Sequence, residues 1–288
     1  MTLYGAIEAG GTKFVLAVGN EKFEIVERQE IPTQTPEITM RKTIAFFQNH
    51  PVRALGLGTF GPVDLDEQSK TYGWITNTPK TSWKMFDILG TLKANLKVPI
   101  AITTDVNVAA YGEYKFGLAR ELHSCAYMTV GTGIGAGIIN QGKFIHGLSH
   151  PEFGHILIRR APLDHFSGVC PFHKDCLEGM ASGTALQERT GLAGKDVKPD
   201  DVNIDYIANY LGQACLSLSL SLDSEVIVLG GGVMKMPSLL SRVRQEFERL
   251  NHGYKRVPPL QKYIQLASLN DNQGIIGCLA LAIERDQQ

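Results

Sequence analysis

Two imidazoles and two thiols fall within 22 residues of one another: His155, then Cys170-Pro-Phe-His173-Lys-Asp-Cys176. Spacings of fourteen, two and two intervening residues suit four-coordinate zinc, whose structural sites take nitrogen and sulfur donors in a tetrahedral array. The Cys-x2-His-x2-Cys run is too short to span a helix and can wrap a metal as a knuckle. Glu152 and Glu178 flank the set. The metal does not need them, so a knuckle that pins two acidic loops reads as a way to hold a polar substrate. A thiol-rich loop with chance histidines is the alternative. Four ligands so close together, in a chain with five cysteines, favour zinc.

A second chemical feature is Asp105, in Thr103-Thr104-Asp105-Val106-Asn107, between a buried apolar run and a helical one. An aspartate there is ordinarily an N-cap. Set beside phosphate-binding turns, the same carboxylate can accept a hydroxyl proton during phosphoryl transfer. Two such turns are present. Glu8-Ala9-Gly10-Gly11-Thr12-Lys13 and Gly131-Thr132-Gly133-Ile134-Gly135 each lie between two strand-like runs. Neither has Walker A spacing, and neither opens a helix as a dinucleotide fingerprint does. Glycine lets backbone N–H groups approach an anion closely, and the threonine hydroxyl adds a donor. One turn alone is weak, because hairpins favour glycine. Two at matching places, facing each other, would clamp a phosphate from opposite sides. Lys13 reads equally as a phosphate contact or as a solvated strand residue. Gly230-Gly231-Gly232 follows a buried strand and reads as a flexible turn or as bare backbone against a ring or ribose. Asn77 is a turn residue or, with Glu152, His155 and Glu178, a partner for a polyhydroxylated substrate.

The elements that must position these groups follow from periodicity. Leu3 to Ala9 and Phe14 to Val18 pair as a hairpin, with a third strand near Lys22 to Gln29. Helices are predicted over Pro36–Asn49, Phe86–Asn95 and Asn107–Phe116, the last capped by Thr104 or Asp105. Buried strands are predicted over Val52–Thr59 and Pro99–Thr103. The pattern then restarts at Ser124–Val130, about 120 residues on, with a return strand Ala136–Asn140. Helices follow over about Gly179–Thr190, Ile204–Leu222, Pro237–Leu250 and Gln273–Ile283, with a strand at Glu225–Leu229. Gly194 to Asp201 reads as a loose surface loop. Strands alternating with helices, each half led by a hairpin, imply an α/β protein with two similar lobes.

The chain has 288 residues, a net charge of −1, 43% apolar and 20% charged residues. That balance, without a Lys/Arg block, argues against nucleic acid or an anionic membrane as partner. The most apolar run, Ala214 to Leu222, is too short to cross a bilayer. The N-terminus has no basic region or cleavage site. Five cysteines, three in apolar contexts, suit a reducing compartment, so the cytoplasm is expected.

Together these residues resemble the ROK family of sugar kinases and repressors, within the actin-like ATPase-domain superfamily. The resemblance runs along essentially the whole chain. It rests on Glu8-Ala-Gly-Gly-Thr-Lys13, Thr104-Asp-Val-Asn107, Gly131-Thr-Gly-Ile-Gly135, Pro151-Glu-Phe-Gly-His155, the Cys170–Cys176 knuckle leading into Leu177-Glu178-Gly179, and Gly230-Gly-Gly-Val233. Most members have Asp where this chain has Glu8, and many carry a Cys-x-Cys…Cys knuckle. The Cys-Pro-Phe-His-x-x-Cys form looks like the fructokinase branch, and these departures favour fructose over glucose.

The resemblance implies two actin-like (ribonuclease H-like) lobes around a central cleft, with the zinc knuckle in the second. They would cover 1–118, with a C-terminal helix of about 272–288 packing back on it, and 119–271. It implies ATP-dependent phosphorylation of a hexose, D-fructose to D-fructose 6-phosphate, with Asp105 as general base. Glu8 would hold Mg²⁺ or its water shell. Gly10, Gly11, Thr12 and Lys13 would face phosphate from the first lobe, and Gly131, Thr132 and Gly133 from the second. Thr184, Gly230, Gly231 and Gly232 would line the adenosine pocket. Asn77, Asp105, Glu152, His155 and Glu178 would bind sugar hydroxyls. His155, Cys170, His173 and Cys176 would hold Zn²⁺, His155 using one ring nitrogen for metal and the other for sugar. A homodimer is a further family-level expectation. Other hexoses (mannose, glucose or an N-acetylated amino sugar) remain alternatives. A sugar-sensing repressor would need a helix-turn-helix ahead of the first strand, which here begins by Leu3.

Overall fold

The computed structural model describes residues 2–288. The chain divides into two compact units. One is built from Met1–Arg120, Phe144–His150 and Ser268–Gln288, the other from Glu121–Lys143 and Pro151–Ala267.

The first unit runs β1 (Leu3–Ala9), β2 (Lys13–Asn20), β3 (Ile25–Pro32), α1 (Pro36–Asn49), β4 (Leu55–Thr59), β5 (Trp74–Ile75), β6 (Phe86–Asp87), α2 (Ile88–Leu96), β7 (Ile100–Thr104) and α3 (Asp105–Phe116). Its main sheet has the order β3-β2-β1-β4-β7. The β1–β2–β3 meander is antiparallel, and β4 and β7 run parallel to β1. Both faces of β1 are covered, which is why its sequence is a nearly unbroken apolar run. Ile7 and Ala9 face one core with Phe14, Leu16, Phe46, Phe47 and Leu92. Tyr4 and Ala6 face another with Val108, Ile275, Cys278 and Leu279. The last three belong to the C-terminal helix Gln273–Asp286.

That helix lies close against α3 because the contact is lined by glycine. A Cβ on Gly277 would fall 1.8 Å from the Val108 carbonyl oxygen, and one on Gly112 2.1 Å from that of Gln273. The two helices can keep this spacing only while both positions lack side chains.

The second unit repeats the plan. It contains β8 (Ser124–Val130), β9 (Ile134–Asn140), β10 (Lys143–Phe144), α4 (Leu177–Ala181), α5 (Gly183–Thr190), α6 (Val202–Leu222), β11 (Ile227–Gly230), α7 (Leu239–Asn251) and β12 (Ile264–Leu266). The order is β10-β9-β8-β11-β12, with β8–β9 antiparallel and β8–β11–β12 parallel. Strand order and direction thus match the first sheet, and the chain is mixed α/β as the alternating pattern predicts. Among the described residues no helix is long and apolar enough to cross a membrane.

The differences from the predicted elements have local causes. The third strand starts at Ile25, because the Asn20 side chain accepts the Lys22 and Glu24 amides and Phe23 takes φ 63°, lengthening the turn. The helix predicted from Phe86 starts at Ile88, where Asp87 caps it by accepting the Gly90 amide at 2.7 Å. The helix predicted over Gly179–Thr190 is two helices. Ser182 is extended (φ −70°, ψ 168°) and its hydroxyl caps α5 through the Ala185 amide. Strand β12 was not foreseen; its three residues are too few to show alternation.

Gly277→Ala should destabilise the protein by about 1–3 kcal/mol, the usual cost of overpacking, read as a lower urea midpoint. An unchanged midpoint would show that the helices can separate without loss.

Candidate active site

Ala9, Thr59 and Thr104 stand level with one another at the carboxyl ends of three parallel strands. Ligands gather at such edges in α/β sheets. Glu8 and Asp105 are each one residue from that line, so the sheet register brings both carboxylates to the same edge. The capping alternative for Asp105 is settled by its neighbour. Thr104 is the N-cap of α3, its hydroxyl accepting the Asn107 amide at 3.2 Å. Asn107 in turn donates to the Thr103 hydroxyl at 2.9 Å. Asp105 is therefore the first residue inside the helix. Its carboxylate accepts its own neighbour's Val106 amide at 2.9 Å, and the helix N-terminus favours its charge.

Burial, followed by the Asp105 charge, pushes the Glu8 carboxyl up to about 7. The C-terminal helix closes over it: a Cβ on Gly274 would lie 2.4–2.8 Å from the Glu8 carboxyl atoms. The extra methylene of a glutamate here is accommodated by a helix turn without a side chain. In the adjoining turn the Gly10 amide is engaged by the Lys13 carbonyl at 3.0 Å, and Thr33 binds the Gly10 carbonyl at 2.8 Å. The amides of Gly11 and Thr12 are the ones this turn presents. The Lys13 ammonium lies 2.7 Å from Glu30 Oε1 on β3, with its side chain half exposed. In this arrangement the ammonium is paired with Glu30 at the surface. Asn77 is exposed, two residues past β5.

In the second unit, Gly131, Thr132 and Gly133 form the equivalent turn, closed by Gly131 N–H to the Gly133 carbonyl at 2.9 Å. The start of α5 is stitched to it. The Gly183 amide donates to the Gly131 carbonyl at 2.7 Å, and the Thr184 hydroxyl to the Thr132 carbonyl at 2.8 Å. Glu178, in the first turn of α4, accepts the Ile134 amide at 2.9 Å and fills the space beside Gly133. Partial desolvation by its loop, and secondarily the Glu178 charge, push the Glu152 carboxyl up to about 7; because the side chain is exposed, solvent tempers that push.

The four Cys/His ligand atoms lie within 4.8 Å of one another. His155 Nδ1 is 3.6 Å from Cys170 Sγ and 3.5 Å from Cys176 Sγ, and His173 Nδ1 is 3.8 Å from Cys170 Sγ. Bonds of about 2.3 Å to sulfur and 2.0–2.1 Å to nitrogen give tetrahedral edges of roughly 3.6 Å, so the donors and their separations fit zinc. The backbone knots the knuckle through paired Cys170–Lys174 hydrogen bonds of 3.2 and 3.0 Å. His155 is three residues from Glu152, and Cys176 two from Glu178. The Leu177 amide also binds the Ile156 carbonyl at 3.1 Å, tying the two acidic segments together.

Beside the second turn is a cavity of about 690 Å³, lined by Gly131, Thr132, Thr184 and Gly232 among the residues singled out in the sequence. Gly230 and Gly231 are not part of its lining. Gly230 is packed under the Tyr127 hydroxyl, and Gly231 (φ 90°) makes the turn against the Val130 backbone. Gln187, Lys195, Val197, Lys235 and Met236 also line it. The sequence offered no signal for Lys195 or Val197, which sit in the stretch read as a loose loop. Gln187 follows Thr184 by one helical step and was accessible by that spacing.

Residues 4–285 match the ROK family, and the chain belongs to it. A fructokinase of Pediococcus pentosaceus is 47% identical over 280 residues, spanning 97% of each chain. A fructokinase of Zymomonas mobilis is 39% identical over 295 residues, 99% of this chain and 98% of its own. Among solved structures, a ROK family glucokinase from Streptomyces griseus in complex with glucose and AMPPNP superposes with a TM-score of 0.76. It is 26% identical and is matched over 98% of this chain and 99% of its own.

A carboxyl raised from 4.5 to about 7 binds an extra proton in the folded state across that window. The folded state is therefore favoured below the unfolded value and loses that advantage as pH rises through about 7. In metal-free protein, Glu8→Gln should raise the melting temperature by a few degrees at pH 8 and leave it unchanged at pH 4.5. An equal difference at both pH values would contradict the burial of a titrating carboxyl.

Proposed function

We propose that this chain is an ATP-dependent fructokinase that converts D-fructose to D-fructose 6-phosphate, with Asp105 as general base. The substrate assignment is supported by fructokinases at 39–47% identity over nearly the full chain. The residue assignment is carried by one observation: Thr104 caps α3, so the adjacent carboxylate at the strand edge is relieved of that duty. Asp105 accepts the proton of the sugar 6-hydroxyl as its oxygen attacks the γ-phosphorus.

Glu8 and Asp105 offer the hard oxygen donors that Mg²⁺ takes, and Glu8 holds the ion or its water shell. Bound Mg²⁺ supplies charge neutralisation for the transferring phosphoryl group. The Gly11 and Thr12 amides, and those of Thr132 and Gly133, face phosphate in their respective units. The cavity with Thr184 and Gly232 in its wall takes the adenosine. Its volume and its mixture of bare backbone and aliphatic wall suit a purine nucleoside. Asn77, Glu152, His155 and Glu178 contact sugar hydroxyls.

Zn²⁺ on His155, Cys170, His173 and Cys176 is the brace for this wall. Because Nδ1 of His155 faces both sulfurs, Nε2 is the nitrogen left for the sugar. Each unit takes the actin-like form that the repeated sheet order supports.

Asp105→Asn should lower kcat by at least about 10²-fold with the fructose KM largely kept, measured by coupled ADP release. Near-normal turnover would remove Asp105 from the mechanism, and equal kcat/KM on glucose and fructose would overturn the substrate assignment. Stripping the metal with a chelator should weaken fructose binding as well as unfold the knuckle. Unchanged affinity in zinc-free protein, measured by calorimetry, would make the metal a bystander.

A further inference from the structure

The roles above leave a cation beside the first glycine turn unassigned. Lys80 lays its side chain over Gly11, where a Cβ would come 3.2 Å from the Lys80 Cε. Among the described residues no carboxylate pairs with its ammonium. Lys13, inside the turn by sequence, is instead held at 2.7 Å by Glu30, which Arg28 also engages at 2.7 Å.

The backbone that carries Lys80 is held on both sides. The Thr76 amide binds the Pro62 carbonyl at 2.8 Å, Thr78 is buried, and the Lys80 amide faces the Thr78 hydroxyl at 3.4 Å. The Trp83 amide binds the Lys80 carbonyl at 2.8 Å. Trp83 is 1% exposed, packs on Phe14 and Phe60, and donates its indole N–H to the Gln34 carbonyl at 2.8 Å. A lysine whose backbone is held by a buried tryptophan, with its side chain over presented backbone amides, needs little main-chain ordering to meet an anion there.

We infer that Lys80 is a phosphate-binding catalytic residue, its ammonium meeting the γ-phosphoryl oxygens of ATP at the Gly11–Thr12 turn. The inference rests on the kinase reading and deepens it. The sugar oxygen bonds to the γ-phosphorus, the bond to the ADP oxygen breaks, and the proton goes to Asp105. Lys80 transfers nothing; it offsets charge on the equatorial oxygens. The same segment bears Asn77 three residues earlier, so one short stretch addresses both sugar and phosphate.

The test compares the full-length protein with Lys80→Met and Lys80→Arg. Lys80 is only partly buried, so neither variant leaves a buried void. Lys80→Met should lose about 10²–10³-fold in kcat, with the fructose KM within roughly threefold. Calorimetry with Mg²⁺ should show AMPPNP affinity falling at least about tenfold more than ADP affinity. Lys80→Arg should recover part of both. A kcat loss below about threefold, or equal losses of AMPPNP and ADP affinity, would overturn the inference. Wild-type protein inactive on every hexose would instead overturn the kinase reading, and the AMPPNP-against-ADP comparison could still be made.

Discussion

The site depends on the hydrogen bond from the Asn107 amide to the Thr104 hydroxyl. A helix that starts at a strand end needs acceptors for its first amides, and a short polar side chain such as Thr or Asp can supply one. Here a threonine one residue earlier takes that role. The first helical residue is then an aspartate at the sheet edge, beside Glu8 on the neighbouring strand end. Two carboxylates meeting at one edge is an electrostatically costly arrangement, and the Glu8 carboxyl is raised first by its burial and then by the Asp105 charge. A cation bound at this edge would relieve that repulsion.

The rest of the molecule holds that edge in place. The level register of Ala9, Thr59 and Thr104 sets the depth of the two acids. Glycine at the α3 contact lets the C-terminal helix reach β1 and lie over Glu8. In the second unit the same logic is expressed differently. A glycine turn is fastened to α5 by Gly183 and Thr184, while the Cys/His cluster adjoins Glu152 and Glu178 in sequence. These residues stand at element ends, held there by a cap, a turn or the neighbouring Cys/His cluster.

Much of this was legible in the chain. Alternation of apolar strands and helices gave the α/β class, and the recurrence of strand, glycine turn and strand anticipated two sheets of like order. The Cys/His spacing anticipated that His155, Cys170, His173 and Cys176 come together, because residues close in sequence need little help from tertiary structure to meet. What was not legible depends on distant partners. Whether Asp105 or Thr104 caps α3 is decided by side-chain geometry, and the ion partner of Lys13 is Glu30 on another strand. The loop around Lys195 carries no periodicity, so its place at a cavity wall is set by packing alone. Of three consecutive glycines only Gly232 reaches that wall, since Tyr127 and the Val130 backbone account for the other two. Sequence gave no reason to separate them.

The account turns on a carboxylate within hydrogen-bond reach of the accepting alcohol. A crystal structure with ADP and fructose bound tests this most directly. The account predicts the 6-hydroxyl oxygen about 2.6–3.2 Å from an Asp105 carboxylate oxygen. A 6-hydroxyl held by a different acid, with Asp105 turned away from the sugar, would contradict it.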